Sequence, residues 1–123
     1  QANSAELFLN DEIHPMIAAQ NAIGYDVYVT GNHEYNYGMD VLKKVMGQQK
    51  AKVLTGNVYA PDGTPLADGY TIIKKGTVKI GVIGMVTPNI IRWDARIWRA
   101  GRSPTLWTRA ARSSIRSRIR WMF

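Results

Sequence analysis

The 123-residue sequence contains no cysteine and only two histidines. Without cysteine, the chain forms neither disulfide bonds nor zinc–thiolate sites, and it has no thiolate nucleophile. No apolar run approaches the roughly 20 residues that a membrane-spanning helix requires. Residues 1–6 also lack the basic segment and the apolar core of a signal peptide. The sequence therefore leaves the cellular compartment undetermined, and its length suits one domain.

Acidic side chains are absent beyond Asp94, and the whole chain carries a net charge of +7. Residues 1–95 hold eight Lys and Arg against nine Asp and Glu, whereas residues 96–123 hold eight Arg and no Lys, Asp or Glu. Three of the four Trp also lie in that second segment. This change in composition predicts a domain over residues 1–95 and an Arg/Trp-rich tail over residues 96–123.

The tail has three interpretations. A nucleic-acid-binding arm would contact phosphates through Arg and stack bases on Trp, and its binding would weaken steeply with salt. A membrane-surface helix would need Trp and Leu on one face and Arg on the other, which residues 108–120 satisfy only roughly. The third interpretation is an out-of-frame translation, because the segment shows neither a steady helical nor a steady strand period.

The genetic code favours the out-of-frame interpretation. With permitted codons for residues 96–109, the neighbouring frame reads A-N-L-E-G-W-T-V-T-N-P-V-D-E, and its continuation can read S-R-K-V-I-D-Q-I-K-D-Q-V-D-V. That alternative alternates like a strand and then becomes an amphipathic helix, as an α/β chain requires. Because local consistency marks a selected sequence, we expect the observed tail to be non-native or unstructured.

Helical and strand patterns alternate along the first ninety-five residues. A helix is predicted from Pro15 to the residue before Gly24. Its buried face is predicted to comprise Met16, Ile17, Ala19, Ala22 and Ile23. A second helix is predicted over residues 39–46, closed by Gly47. Strand patterns occur at residues 25–30, 52–55, 70–74 and 78–83. This order predicts a layered α/β or α+β fold.

The most informative motif is Gly31-Asn32-His33-Glu34, which directly follows the first predicted strand. Catalytic groups gather at the carboxyl ends of strands, where backbone turns present side chains to a shared crevice. The amide oxygen of Asn32 can bind a divalent cation, and His33 can donate a proton or a hydrogen bond to phosphate oxygens. The motif therefore predicts an active site.

The motif, followed by Tyr-Asn-Tyr-Gly at residues 35–38, resembles the GNH[DE] block of calcineurin-like metallophosphoesterases. This form of the block resembles the one found in nucleotidases and 2′,3′-cyclic-nucleotide phosphodiesterases. Further matches extend the resemblance over residues 6–95; they lie at residues 14–17, 24–26, 56–59, 78–84, 87–88 and 93–94. The alternative string A-N-L-E-G also resembles the continuation of the family. The resemblance implies part of a four-layer α/β/β/α domain.

By this resemblance the chain is part of a metal-dependent hydrolase of nucleotide phosphoesters. The most similar group is the 2′,3′-cyclic-nucleotide 2′-phosphodiesterase/3′-nucleotidases, and the alternative is a 5′-nucleotidase. Asn32 would bind one of two divalent metal ions, and His33 would protonate the leaving group or stabilise the transferring phosphoryl group. Gly31 and Glu34 would hold these two residues in place without contacting metal or substrate themselves. The resemblance also suggests an exported protein.

The other metal-ligand blocks of the family are not found in this sequence. An Asp-x-His and a Gly-Asp block would precede the motif, and separate His and Gly-His-x-His blocks would follow it. The resemblance gives neither His14 nor His33 a metal-binding role. One Asn cannot hold two ions against water, so we expect the chain by itself to be an inactive fragment. Missing strands would expose apolar faces and favour aggregation.

The expected partner of the intact enzyme is a nucleotide, whereas nucleic acid is not expected and the oligomeric state is undetermined. The remaining polar and aromatic residues of interest are assigned to structure. His14 is expected at a helix start and Asn57 in a turn. Gly81 and Gly84 are expected to permit close packing, since no phosphate-loop pattern surrounds them. Tyr35 and Tyr37 are expected to cover the edge of the sheet.

Overall fold

The computed structural model describes residues 13–60 and 62–95, together with the backbone of residues 107–108. Apart from those two residues, the predicted tail over residues 96–123 lies outside this part of the chain. Residues 107–108 form a short strand, so the predicted lack of native structure stays a prediction only for the other residues of the tail. In the described segments no helix has the length and apolar character needed to cross a membrane.

Helices and strands alternate in the predicted order. The elements are α1 (Pro15–Ile23), β1 (Val27–Val29), a 3₁₀ turn (Asn32–Tyr35), α2 (Met39–Gln48), β2 (Lys52–Leu54), β3 (Val58–Tyr59), β4 (Tyr70–Lys75), β5 (Val78–Ile83), α3 (Ile90–Trp93) and β6 (Trp107–Thr108). The predicted helices and the four predicted strands are confirmed. The 3₁₀ turn, β3, α3 and β6 are too short to leave a periodic pattern, and the sequence did not predict them.

Helix α1 begins and ends where the sequence predicts. The Nδ1 atom of His14 accepts a hydrogen bond from the Met16 N–H at 3.2 Å, which satisfies one of the free donors at the helix start. His14 is therefore a capping residue, as expected. Gly24 ends the helix in the left-handed conformation, with φ of 81°, and its N–H donates to the Gln20 carbonyl at 3.0 Å.

The predicted buried face of α1 is wrong. Ile17 is fully buried, and it packs in a small cluster with Val45 and Val41 of α2. The other four predicted members are exposed, namely Met16, Ala19, Ala22 and Ile23. Among the described residues, only the Ile17 side of α1 packs against another element. The other apolar residues of the helix therefore stay exposed.

Helix α2 passes through Gly47, so the prediction that this glycine closes the helix is also wrong. The helix continues to Gln48 and ends because Gln49 adopts an extended conformation, with φ of −72° and ψ of 128°. The apolar side of α2, formed by Met39, Leu42 and Val45, is buried as its spacing predicts.

Parallel pairing brings the candidate site to one edge of a sheet. Strands β1 and β2 are parallel, with Val29 opposite Leu54, so the segments that follow them leave at the same edge. Strands β4 and β5 form an antiparallel hairpin whose turn contains Gly76 at φ of 61°. Strand β6 pairs antiparallel with β3.

The β4–β5 hairpin is joined to the end of β2 by backbone hydrogen bonds. The Gly56 N–H donates to the Gly84 carbonyl at 2.6 Å, and the Gly84 N–H donates to the Gly69 carbonyl at 3.0 Å. A Cβ atom on residue 84 would lie 2.8 Å from the carbonyl carbon and oxygen of Leu54. The predicted close packing is therefore confirmed at Gly84, whereas Gly81 is exposed.

The main core contains Tyr35 of the 3₁₀ turn, so the prediction that this ring covers the sheet edge is wrong. The cluster comprises Tyr35, Met39, Leu42, Val58, Val86 and Ile90. Tyr35 is fully buried, whereas Tyr37 is 49% exposed. The 3₁₀ turn, which carries the motif and is called the motif turn, is thus attached to the core by its last residue.

Several large apolar side chains remain exposed outside this core. Ile23 is 70% exposed, Val78 is 58% exposed and Trp93 is 62% exposed. These surfaces agree with the expectation that further parts of the domain would cover them, and aggregation of the chain by itself stays a prediction.

A glycine-to-alanine pair tests the packing. We expect Gly84→Ala to lower the free energy of unfolding by about 1–3 kcal/mol, because the added methyl group meets the Leu54 backbone. Gly47→Ala is the matched control; open space surrounds residue 47, so it should stabilise α2 by about 0.5–1 kcal/mol. Urea unfolding followed by circular dichroism measures both. Equal stability of Gly84→Ala and the unaltered chain would contradict the packing.

Candidate active site

The four predicted site residues are Gly31, which precedes the 3₁₀ turn, and the first three residues of that turn. Glu34 Oε2 accepts a hydrogen bond from the Gly31 N–H at 2.7 Å, which closes the start of the turn. A Cβ atom on residue 31 would lie 2.8 Å from that oxygen, so glycine leaves room for the carboxylate. Asn32 is half-buried and His33 is exposed. The Glu34 side chain therefore fixes the backbone conformation of the turn that carries Asn32 and His33.

His33 is the first member of a hydrogen-bonded chain of three side chains. Its Nδ1 atom lies 2.9 Å from Asn36 Oδ1. The Nδ2 atom of Asn36 donates to Asp94 Oδ1 at 2.7 Å. Asp94 directly follows α3 and is only 9% exposed. A residue far away in sequence thus reaches the motif turn through one asparagine.

Asn57 lies in a turn after β2, as predicted, and its side chain also holds the segment that leads to Asp94. Its Nδ2 atom donates to the Val86 carbonyl at 2.7 Å, and its Oδ1 atom accepts from the Val86 N–H at 3.0 Å. The side chain is only 2% exposed. It mimics a strand partner for Val86, so both backbone groups are satisfied inside the protein. These bonds place the chain that enters α3.

Tyr35 fixes the other end of the motif turn. Its hydroxyl group lies 2.9 Å from Thr30 Oγ1, and both residues are buried. Burial raises the pKa of Tyr35 to about 12, and the charge of Glu34 acts in the same direction while the Thr30 hydrogen bond opposes it. The phenol is therefore neutral at ordinary pH and serves as an anchor of the turn.

The described residues do not form a two-metal centre on their own. Across residues 13–60 and 62–95, no three His, Asp or Glu side chains come close enough together to hold a metal ion. Asn32 offers a single amide oxygen, whereas a two-metal site needs several converging ligands. Asp94 already accepts the Asn36 hydrogen bond. Within the described residues, Asn32 is therefore the one predicted metal ligand.

Sequence reasoning missed two residues that the structure brings to His33. Asn36 lies three residues after His33, a spacing that a helical turn brings together, and this signal was available in the sequence. Asp94 appeared only as part of a matching flank. No local pattern links it to a residue 58 positions earlier.

Known proteins resemble this chain in sequence and in fold. No protein-family model matches the chain. The 2′,3′-cyclic-nucleotide 2′-phosphodiesterase/3′-nucleotidase of Yersinia enterocolitica is 38% identical over 93 residues, which cover 68% of this chain and 14% of that protein. The 5′-nucleotidase of Vibrio parahaemolyticus is 34% identical over 77 residues, with coverage of 62% and 14%. The crystal structure of the calcineurin-like phosphoesterase YfkN from Bacillus subtilis has a TM-score of 0.78 at 28% identity, covering 97% of this chain and 37% of that one.

This chain belongs to the calcineurin-like phosphoesterase family. The predicted resemblance and the predicted fold class, a partial α/β/β/α domain, are confirmed. The chain spans 14% of the length of each of the two enzymes named above. Calcineurin-like phosphoesterases are generally metal-dependent. The family is therefore established, while the roles of single residues stay predictions.

The raised pKa of Tyr35 predicts a specific loss of stability at high pH. The native chain holds the phenolic proton more tightly than the unfolded chain, in which Tyr titrates at the ordinary value of 10.0. This contribution is complete below pH 10 and is lost as the pH rises from about 10 to about 12, which amounts to about 3 kcal/mol. Urea unfolding at a series of pH values across this window measures the loss.

Two phenylalanine variants isolate the contribution of Tyr35. Tyr35→Phe should flatten the pH dependence over this window, because the titrating group is gone. Tyr25→Phe is the control, since Tyr25 is 55% exposed and its removal should leave the slope unchanged. Identical slopes for Tyr35→Phe and the unaltered chain would show that Tyr35 is not the group responsible.

Proposed function

We propose that this chain supplies the phosphate-contacting part of an active site to an enzyme that hydrolyses nucleotide phosphoesters. The type favoured is a 2′,3′-cyclic-nucleotide 2′-phosphodiesterase/3′-nucleotidase. The observation that carries the proposal is an exposed His33, held by Asn36 at the carboxyl edge of β1. The 38% identity to the Yersinia enterocolitica enzyme supports the substrate class.

The proposed roles follow from the chemistry of each side chain. His33 donates a proton or a hydrogen bond to an oxygen of the phosphoryl group or of the leaving group. Asn32 offers one amide oxygen to a divalent metal ion, which would neutralise phosphate charge when bound. Glu34 holds the turn through the Gly31 N–H. The remaining metal ligands would come from outside the described residues.

A 5′-nucleotidase is the second candidate. The match to the Vibrio parahaemolyticus enzyme favours it, at 34% identity. The two candidates share the motif turn and differ in which ester of the nucleotide is cleaved. The discriminating observation is therefore the substrate profile and not the presence of the motif.

A chimeric enzyme tests the proposal. Residues 13–95 replace the matching segment of the Yersinia enterocolitica relative, and hydrolysis is measured with 2′,3′-cyclic, 3′- and 5′-nucleotides. We expect hydrolysis of the first two. His33→Ala should lower kcat by about 10²- to 10⁴-fold, because the proton donor is lost. Asn32→Ala should raise the metal concentration needed for activity. A 5′-nucleotide preference would instead support the second candidate.

Controls separate catalysis from folding in the chimera. Asn21→Ala is the matched asparagine change. Asn21 Nδ2 donates to the Gln48 carbonyl at 2.8 Å, away from the motif turn, so this substitution should leave kcat unchanged. The 123-residue chain by itself should show no hydrolysis. A His33→Ala chimera as active as its parent would refute the role of His33, and activity of the chain by itself would refute the missing-ligand argument.

We further propose that the functional sequence ends near residue 95 and that residues 96–123 are out of frame. The support is that this segment holds eight Arg and no acidic residue. Resequencing the encoding DNA should reveal a single-base change near the Ala95 codon that restores A-N-L-E-G. An intact frame through a genuine stop after Phe123 would overturn this proposal and leave the basic tail, with its nucleic-acid alternative, to be explained.

A further inference from the structure

We propose that Asp94 and Asn36 form a positioning pair that holds His33 in the tautomer with its proton on Nδ1. The pair would leave Nε2 as the atom that meets the phosphate ester. Its catalytic meaning rests on the proposed function, whereas the tautomer is a property of the chain that can be measured without substrate or metal.

The orientation of the Asn36 amide follows from Asp94. A carboxylate offers acceptors only, so it can bind the NH₂ end of an asparagine and not the carbonyl end. The short contact of 2.7 Å between Asn36 Nδ2 and Asp94 Oδ1 is the arrangement that this rule demands. A reversed amide would bring two acceptor oxygens together in a mostly buried place, which is costly. Asn36 Oδ1 is therefore directed to His33.

The tautomer of His33 follows from Asn36. Its Nδ1 atom lies 2.9 Å from the side-chain oxygen Oδ1 of Asn36, which can only accept, so Nδ1 must donate and carry the proton. Which ring nitrogen is protonated is set by the hydrogen bond that the other one makes. In the neutral ring, Nε2 then keeps its lone pair. Asn36 and Asp94 touch no substrate in this proposal, so they act through His33.

This tautomer suits a residue that gives up a proton. In the charged ring both nitrogens carry a proton. When the Nε2–H bond breaks and the leaving-group oxygen gains that proton, the ring becomes neutral and keeps the Nδ1 proton. The product of the transfer is therefore the tautomer that Asn36 stabilises, and no ring rearrangement follows.

The other histidine provides an internal contrast. Nδ1 of His14 accepts a hydrogen bond from the Met16 N–H at 3.2 Å, so the proton of its neutral ring lies on Nε2. His14 and His33 are the two histidines of the chain. One spectrum of the full chain therefore contains one histidine of each tautomer, and the His14 signal also reports that the fold is intact.

The experiment is ¹⁵N NMR of the full chain labelled at the histidine rings, recorded without metal at about pH 8.5, where ordinary histidines are neutral. We expect His33 to show the Nδ1–H pattern and His14 the Nε2–H pattern. Asn36→Ala removes the acceptor and should shift the tautomer ratio of His33 toward Nε2–H by about two- to tenfold. His14 should not change.

Asp94→Asn tests orientation apart from shape. The new amide has the size of Asp94 but can either donate or accept, so Asn36 is no longer forced into one orientation. The ratio at His33 should move toward a mixture. The control is Asp26→Asn, which removes an exposed carboxylate paired with Lys75 at 2.9 Å and should leave His33 unchanged.

The outcomes separate this proposal from the proposed function. An Nε2–H pattern at His33 in the unaltered chain overturns the positioning pair. So does an unchanged Nδ1–H pattern in both Asn36→Ala and Asp94→Asn. If one variant loses the His14 pattern, and hence its fold, the unaltered chain and the other variant decide. An inactive chimera with the expected tautomers overturns the proposed function and leaves the pair standing.

Discussion

Burial of the Tyr35 ring is the interaction on which the candidate site depends. The ring ends the 3₁₀ turn and lies in the same buried cluster as Val58, Val86 and Ile90, so the turn is fixed to the core at one point. Burial of an aromatic side chain contributes about 1.5–3 kcal/mol, and the Thr30 hydroxyl satisfies the phenol that burial removes from water. Because the anchor lies at the end of the turn, His33 stays exposed on a backbone that is nevertheless held in place.

Asn57 is the polar counterpart of this anchor. Its amide satisfies both backbone groups of Val86, and Val86 packs in the same cluster as Tyr35. Position 86 is therefore fixed by hydrogen bonding and by packing at once. The chain that continues from it into α3 delivers Asp94 to Asn36. The alignment of His33 thus depends on contacts between segments that lie far apart in sequence.

This dependence explains which parts of the structure the sequence could predict. The start of α1 at Pro15, its end before Gly24 and the two strands β4 and β5 follow from local backbone preferences, and all were predicted. The contacts of Asn57 and Asp94 depend on partners 29 and 58 residues away, which no periodicity reveals. The exposed face of α1 was mispredicted for a related reason, since an apolar stripe shows what a helix can bury and not what covers it.

The two halves of the candidate site differ in how much of the sheet they need. The histidine half is complete once one turn, one helix end and the Asn57 contacts are present. A metal half requires ligands from several strand ends, which meet at one edge of a parallel sheet. Among the described residues β1 pairs only with β2, so the other edge of β1 has no neighbouring strand. A parallel strand added there would place its carboxyl end beside Asn32. Such a strand fits only on the β1 side of the sheet, because β2 already adjoins the β4–β5 hairpin through the Thr55 and Gly56 hydrogen bonds.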